Sequence, residues 1–128
     1  MVTEPALFSI MRQGQVLVAS VHTALDDSQL LRLQRDLVER IGTERARGII
    51  IDVAAMDILD SFGTKTLRDI AEIARLRGAQ SVIVGIQPEV ALAMVTLGMG
   101  TGTVATALDL EEGLAFLADS IAESPSRW

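Results

Sequence analysis

Apolar positions along this chain follow two alternating periods. Leu7–Met11 and Gln15–Val21 are short apolar runs about a turn at Gln13-Gly14, and they predict two strands. Asp26-Asp27-Ser28 is a helix N-cap signal, and Leu30, Leu33, Leu37 and Ile41 follow at helical spacing. Arg32, Arg35 and Arg40 mostly fall off that face, and Gly42 or the Thr43-Glu44 turn should end the helix. Gly48–Val53 contains Ile49, Ile50 and Ile51 in a row, which predicts a strand buried on both faces or nearly so. A second helix is expected from near Ser61 to Arg77-Gly78, with Phe62, Thr66, Ile70, Ile73 and the stem of Arg77 turned inward.

Ser81–Gly85 reads as the next strand. Pro88 is placed to open a third helix with Val90, Met94 and Leu97 on one side and Gly98 as its end. Thr103–Ala105 reads as a short edge strand. Asp109 should cap a last helix that turns Leu110, Leu114, Leu117 and Ile121 inward. The order is β-β-α-β-α-β-α-β-α. After the opening hairpin, the alternation demands right-handed crossovers and mainly parallel pairing. The expectation is one α/β domain over residues 1–123, with residues 124–128 a flexible polar tail.

Composition narrows the function. The 128 residues suit one domain, and 49% apolar residues support a core. With three Phe, one Trp and no Tyr, that core is aliphatic, which argues against a base-stacking nucleic-acid binder. The net charge of −6 argues harder, because Lys65 is the only lysine and the arginines are scattered from Arg12 to Arg127. An anionic membrane surface is disfavoured for the same reason. The absence of cysteine excludes disulfides and thiolate chemistry. Met-Val-Thr-Glu-Pro is not a signal-peptide start, and the longest apolar stretch, Val90–Met99, is well short of the ~20 residues a membrane span needs. A cytoplasmic protein, without nucleic-acid or membrane partners, is expected.

Ser61 is the most informative candidate for chemistry. It follows a buried strand and opens a helix, so its hydroxyl either caps that helix or accepts a phosphoryl group. Asp60 could cap the same helix, so the serine is not needed for that task alone. The helix dipole would favour a phosphate there, while Asp57 and Asp60 would oppose it. Thr64 and Thr66 are weaker acceptors, since Thr66 lies on the inward stripe and Thr64 inside the first turn. Lys65 near a helix N-terminus is either a solvated side chain or a contact to a phosphate or a partner's acid. Asp26-Asp27, Asp52 and Asp57 compare poorly with an aspartyl-phosphate Mg²⁺ site, because residues 103–108 lack the needed lysine. Gly98–Gly102 follows a helix rather than a strand, so it reads as a helix stop and not as a phosphate loop. His22 has no serine or cysteine motif around it, and Glu111-Glu112 reads as a solvated first helical turn.

The segment Ile51-Asp52 … Met56-Asp57-Ile58-Leu59-Asp60-Ser61-Phe62 resembles the signature of STAS domains, the fold of anti-sigma-factor antagonists. Three features resemble the RsbS type of stressosome scaffold: Asp60-Ser61-Phe62 followed by Lys65; Val84-Gly85-Ile86-Gln87-Pro88-Glu89-Val90-Ala91; and Thr106–Leu114. The resemblance covers essentially the whole chain. It implies a single STAS domain with a mixed, mainly parallel sheet of four to five strands and helices packed mostly on one face. It also implies a non-enzymatic scaffold, without cofactor or metal of its own, that sequesters a switch serine kinase and releases it when Ser61 is phosphorylated in a stress response. Asp57, Asp60, Phe62, Gly63, Thr64 and Lys65 would form the partner surface. Further implied partners are paralogous sensory STAS proteins in a large assembly, a phosphatase that resets the serine, and a second copy in a homodimer. The alternative is a simpler antagonist that binds an anti-sigma-factor kinase until Ser61 is phosphorylated. Gly63, costly in a first helical turn, would loosen that turn or admit a partner closely.

Overall fold

The computed structural model describes residues 6–97 and 104–123. Its elements are β1 (Phe8–Gln13), β2 (Val16–Val21), α1 (Asp27–Glu44), β3 (Gly48–Asp52), α2 (Ser61–Leu76), β4 (Gln80–Val84), α3 (Pro88–Thr96), β5 (Ala105–Ala107) and α4 (Leu110–Glu123). The five strands form one sheet in the order β1-β2-β3-β4-β5. β1 pairs antiparallel with β2 through a turn at Gly14-Gln15, and every later pair is parallel.

Ile49, Ile50 and Ile51 all have 0% exposure, as a continuous β-branched run requires. Alternate residues of the strands face opposite layers. Leu17, Ala19, Ile49, Ile51 and Ile83 pack with Leu33, Leu37 and Ile41 of α1, Leu67, Ile70 and Ala74 of α2, and Val90 and Met94 of α3. Val16, Val18, Ile50, Val82 and Val84 meet Leu110, Leu114, Leu117 and Ile121 of α4. Three of the described helices thus share one face and α4 covers the other. Gly113 lets α4 approach closely, since a Cβ there would stand 2.8 Å from Val84 Cγ1.

Several expected boundaries moved. Of the two ends expected for α1, the structure takes the Thr43-Glu44 one: the helix runs through Gly42 to Glu44, the Arg40–Glu44 ion pair spans the glycine, and Arg45 closes it in the left-handed region at φ 52°. Arg77 does not bury its stem. It is the exposed C-cap of α2, and its guanidinium lies over Gly42, where a Cβ would stand 3.0 Å from Nη2. Phe62 and Ile73 are only partly buried, and the inner face of α2 is instead Gly63, Thr64, Thr66, Leu67, Ile70, Ala71 and Ala74. Leu97 caps α3 one residue beyond its end and stays exposed. The fifth strand is Ala105–Ala107 rather than Thr103–Ala105, pairing with Val82–Val84 at the sheet edge. Thr103, the Gly98–Gly102 segment and the tail after Glu123 lie outside the described residues.

At the opposite edge, Arg40 Nη1 donates to the Ile10 carbonyl of β1 at 2.6 Å, which occupies an acceptor that an edge strand would otherwise offer to another chain. Asp26 forms a reciprocal capping box with Gln29, at 2.8 and 2.9 Å, and Asp109 caps α4 through the Glu112 N–H.

Three carboxyls are held below their usual range: Asp26 by the Gln29 N–H and the Ser28 hydroxyl, Glu44 by Arg40, and Glu72 by Arg75. Each binds its proton more weakly folded than unfolded. Their contribution is therefore complete above the ordinary carboxyl range and is lost as pH falls through the lower folded values. Melting curves should show Tm declining from about pH 5 downward. Asp26→Asn keeps an acceptor for Gln29 but cannot titrate, so it should flatten part of the decline; an unchanged slope in that variant would contradict the assignment.

Candidate functional site

The chain leaves β3 at Asp52 and enters α2 at Ser61, and the intervening loop is tied down at every second or third residue. Asp52 Oδ1 accepts from the Ala54 N–H at 3.0 Å, Val53 N–H donates to the Val84 carbonyl at 3.0 Å, and Met56 N–H donates to the Val53 carbonyl at 2.9 Å. Gln87 Nε2 reaches the Ala54 carbonyl at 2.7 Å, joining this loop to the one before α3. Gly85, at φ 76°, makes room for Ala54: a Cβ at Gly85 would stand 2.9 Å from that of Ala54. Val53, Met56 and Leu59 are buried, while Asp57, Ile58 and Asp60 are exposed.

Asp60, and not Ser61, is the N-cap of α2. Its backbone is extended (φ −91°, ψ −176°) and its Oδ1 accepts from the Gly63 N–H at 2.8 Å. Leu59 fixes that geometry. Its side chain turns into the core against Gly63: a Cβ on Gly63 would stand 2.6 Å from Leu59 Cδ1 and 3.5 Å from Leu30 Cδ1 of α1. The first-turn glycine therefore admits Leu59 of the same chain, and no close approach by a partner is needed to explain it. Ser61 becomes the first helical residue. It is exposed, and among the described residues its hydroxyl has no hydrogen-bond partner, nor do the N–H groups of Ser61 and Phe62. Free N–H groups at a helix start, together with the dipole, favour an anion at this position.

The other expected site residues divide by face. Asp57 and Asp60 flank Ser61 at the surface, and Lys65 stands one turn on, paired with Asp69 at 2.7 Å. Phe62 is half-buried. Gly63 and Thr64 lie on the inner face of α2, so the expectation of a partner resting on them gives way to a core role. Thr64 is 4% exposed and its Oγ1 has no hydrogen-bond partner, while Thr66 Oγ1 donates to the Phe62 carbonyl at 2.8 Å. Neither threonine is open to modification in the folded chain. Ile58, 70% exposed between Asp57 and the buried Leu59, is a large apolar side chain beside Ser61 that the sequence did not single out. Its position between Asp57 and the Leu59-Asp60 pair was its only signal.

Away from this loop, His22 Nε2 and Ser9 Oγ lie 3.1 Å apart at the surface. Among the described residues, no group of three or more His, Cys, Asp or Glu could hold a metal ion, and no helix is long and apolar enough to cross a membrane.

A profile for the STAS domain matches residues 8–112. Among solved structures, the chain is similar to Moorella thermoacetica RsbS bearing a serine-to-glutamate substitution: 28% identity and a TM-score of 0.82 over 93% of this chain and 100% of that one. It is also similar to a chain in a structure described as the molecular architecture of the stressosome, a signal integration and transduction hub. There the identity is 28% and the TM-score 0.72, over 88% of this chain and 97% of that one. Among curated proteins, the RsbT co-antagonist protein RsbRA of Bacillus subtilis (strain 168) is 27% identical over 90 residues, 70% of this chain. The match spans 33% of that protein, so this chain corresponds to about a third of its length.

The division of labour between Asp60 and Ser61 is testable by stability alone. Asp60→Ala should cost about 1 kcal/mol in urea denaturation, the usual value of a lost cap. Ser61→Ala should stay within about 0.5 kcal/mol of the parent, as an exposed substitution away from such features does. A larger loss from Ser61→Ala than from Asp60→Ala would reverse the assignment.

Proposed function

The chain belongs to the STAS domain family, and on that premise we propose that it is a stressosome-type scaffold that holds a switch serine kinase and releases it when Ser61 is phosphorylated. The observation that carries this reading is local. Ser61 presents a free hydroxyl at the first position of α2, while Asp60 performs the capping that would otherwise explain the serine. Its substitution therefore changes a surface and not a fold.

In the proposed transfer, Ser61 Oγ attacks the γ-phosphorus of ATP held by the kinase. The bond from that phosphorus to the β–γ bridging oxygen breaks, ADP leaves, and the hydroxyl proton passes to a base of the kinase. ATP and Mg²⁺ belong to the partner, and this chain acts without enzymatic activity. The phosphate adds about −1.5 to −2 charges to a surface that already carries Asp57 and Asp60. That change in potential, beside the exposed apolar side chain of Ile58, is suited to ending a contact without unfolding the helix. The similarity to RsbS, to a stressosome chain and to RsbRA supports assembly with paralogous STAS proteins; in this reading a partner phosphatase resets the serine.

Phosphosite mapping by mass spectrometry, on protein recovered from stressed and unstressed host cells, should find stress-dependent phosphate on Ser61. The Ser61→Ala protein should still retain the kinase but fail to release it; stress-dependent release from that variant would sink the reading. Co-expression with STAS paralogues should give a very large particle by sedimentation. A monomer or dimer under those conditions would favour the simpler antagonist.

A further inference from the structure

Ser61, Lys65 and Asp69 occupy successive i,i+4 positions on the exposed side of α2. Lys65 is the only lysine of the chain and the only cation between Arg47 and Arg68. Its Nζ donates to Asp69 Oδ2 at 2.7 Å, with 66% and 40% of the two side chains exposed. Asp69 has no other ion-pair partner among the described residues, and Arg75 on the next turn is engaged by Glu72. Lys65 therefore stands between one present acid and one hydroxyl that becomes an acid on modification.

We propose that phosphorylation of Ser61 draws Lys65 away from Asp69 onto the phosphate, so that the modification is also displayed as a newly unpaired carboxylate at position 69. The proposal rests on the Ser61 reading above and names how that site is read.

Three physical differences favour the exchange. The phosphate carries up to twice the charge of a carboxylate and three acceptor oxygens. An acid placed four residues before a lysine pairs better on a helix than one placed four residues after it, and Lys65–Asp69 has the poorer order. Asp57 and Asp60 leave the phosphate with no compensating side chain in the first turn, and Arg68 lies about 10 Å further along the axis. The helix dipole opposes moving an ammonium toward the N-terminus, but the phosphate's own charge outweighs the partial positive charge there. The result is a signal carried about 12 Å along α2, from residue 61 to residue 69, without a change in backbone. A partner resting on the outer face of α2 would meet a neutral Lys65–Asp69 pair before modification. Afterwards it would meet a partly neutralised phosphate and a separate negative charge.

The test uses the full chain with phosphoserine inserted at position 61 during translation, so that it does not depend on any kinase. ³¹P NMR gives the midpoint of the second phosphate ionisation in the phosphorylated parent and in phosphorylated Lys65→Gln and Asp69→Asn proteins. Asp57 and Asp60 are present in all three and cancel in the comparison. Lys65 should lower the midpoint by about 0.3 pH units relative to Lys65→Gln, and Asp69→Asn, which frees Lys65, should lower it further. In parent protein with labelled aspartate, the Asp69 carboxylate carbon should shift on phosphorylation and should not do so in Lys65→Gln. Equal midpoints with and without Lys65 would overturn the exchange, as would an Asp69 signal indifferent to phosphorylation. If mapping in cells found Ser61 unmodified while these shifts held, the Ser61 reading would fail and the side-chain chemistry would stand.

Discussion

Ile49, Ile50 and Ile51 lie fully out of water, and each contributes on the order of 2 kcal/mol of apolar burial to the fold. A strand with three such neighbours cannot have a solvated face, so the sheet must be covered on both sides. The chain meets this with α1, α2 and α3 on one face and α4 on the other. β3 then lies at the centre of the sheet, between β2 and β4. Its carboxyl end opens at the protein surface, and the loop to α2 starts there. The location of Ser61 follows from that burial.

Within the loop, burial and exposure alternate, so anchoring residues and surface residues are interleaved. Val53, Met56 and Leu59 anchor the backbone, and Gly63 accepts the Leu59 side chain where any Cβ would collide with it. Asp60 then satisfies the Gly63 N–H and leaves Ser61 with no structural task. A modifiable residue on such a helix start has two physical merits. Its charge can be accommodated by the dipole, and changing it does not disturb the cap. The cap and the free hydroxyl thus sit on neighbouring residues and use separate atoms.

Membership of the STAS domain family accounts for the sheet and its helices, and the surface around the β3–α2 loop is particular to this chain's own residues. Here that surface is acidic, with one exposed isoleucine and one lysine already engaged by a neighbouring acid. Two edges of the sheet bound it differently. β1 is partly closed by Arg40 on the Ile10 carbonyl, and β5 is kept to three residues. Both are ways to limit pairing through an exposed strand.

The sequence by itself determined the element order, the double burial of β3, the opening of α3 at Pro88 and the start of α2 at the Asp60-Ser61 pair. Each of these depends on residue type at a fixed local spacing, and apolar period, proline geometry and capping chemistry act over a few residues. Only the tertiary structure decided which of two adjacent capping residues takes the cap, because that depends on Gly63 fitting beside Leu59 and beside Leu30 of another helix. It likewise decided that Thr64 faces inward and that Arg77 lies over Gly42 rather than in the core. These outcomes are set by contacts between residues far apart in the chain, and no local pattern carries the distance between them.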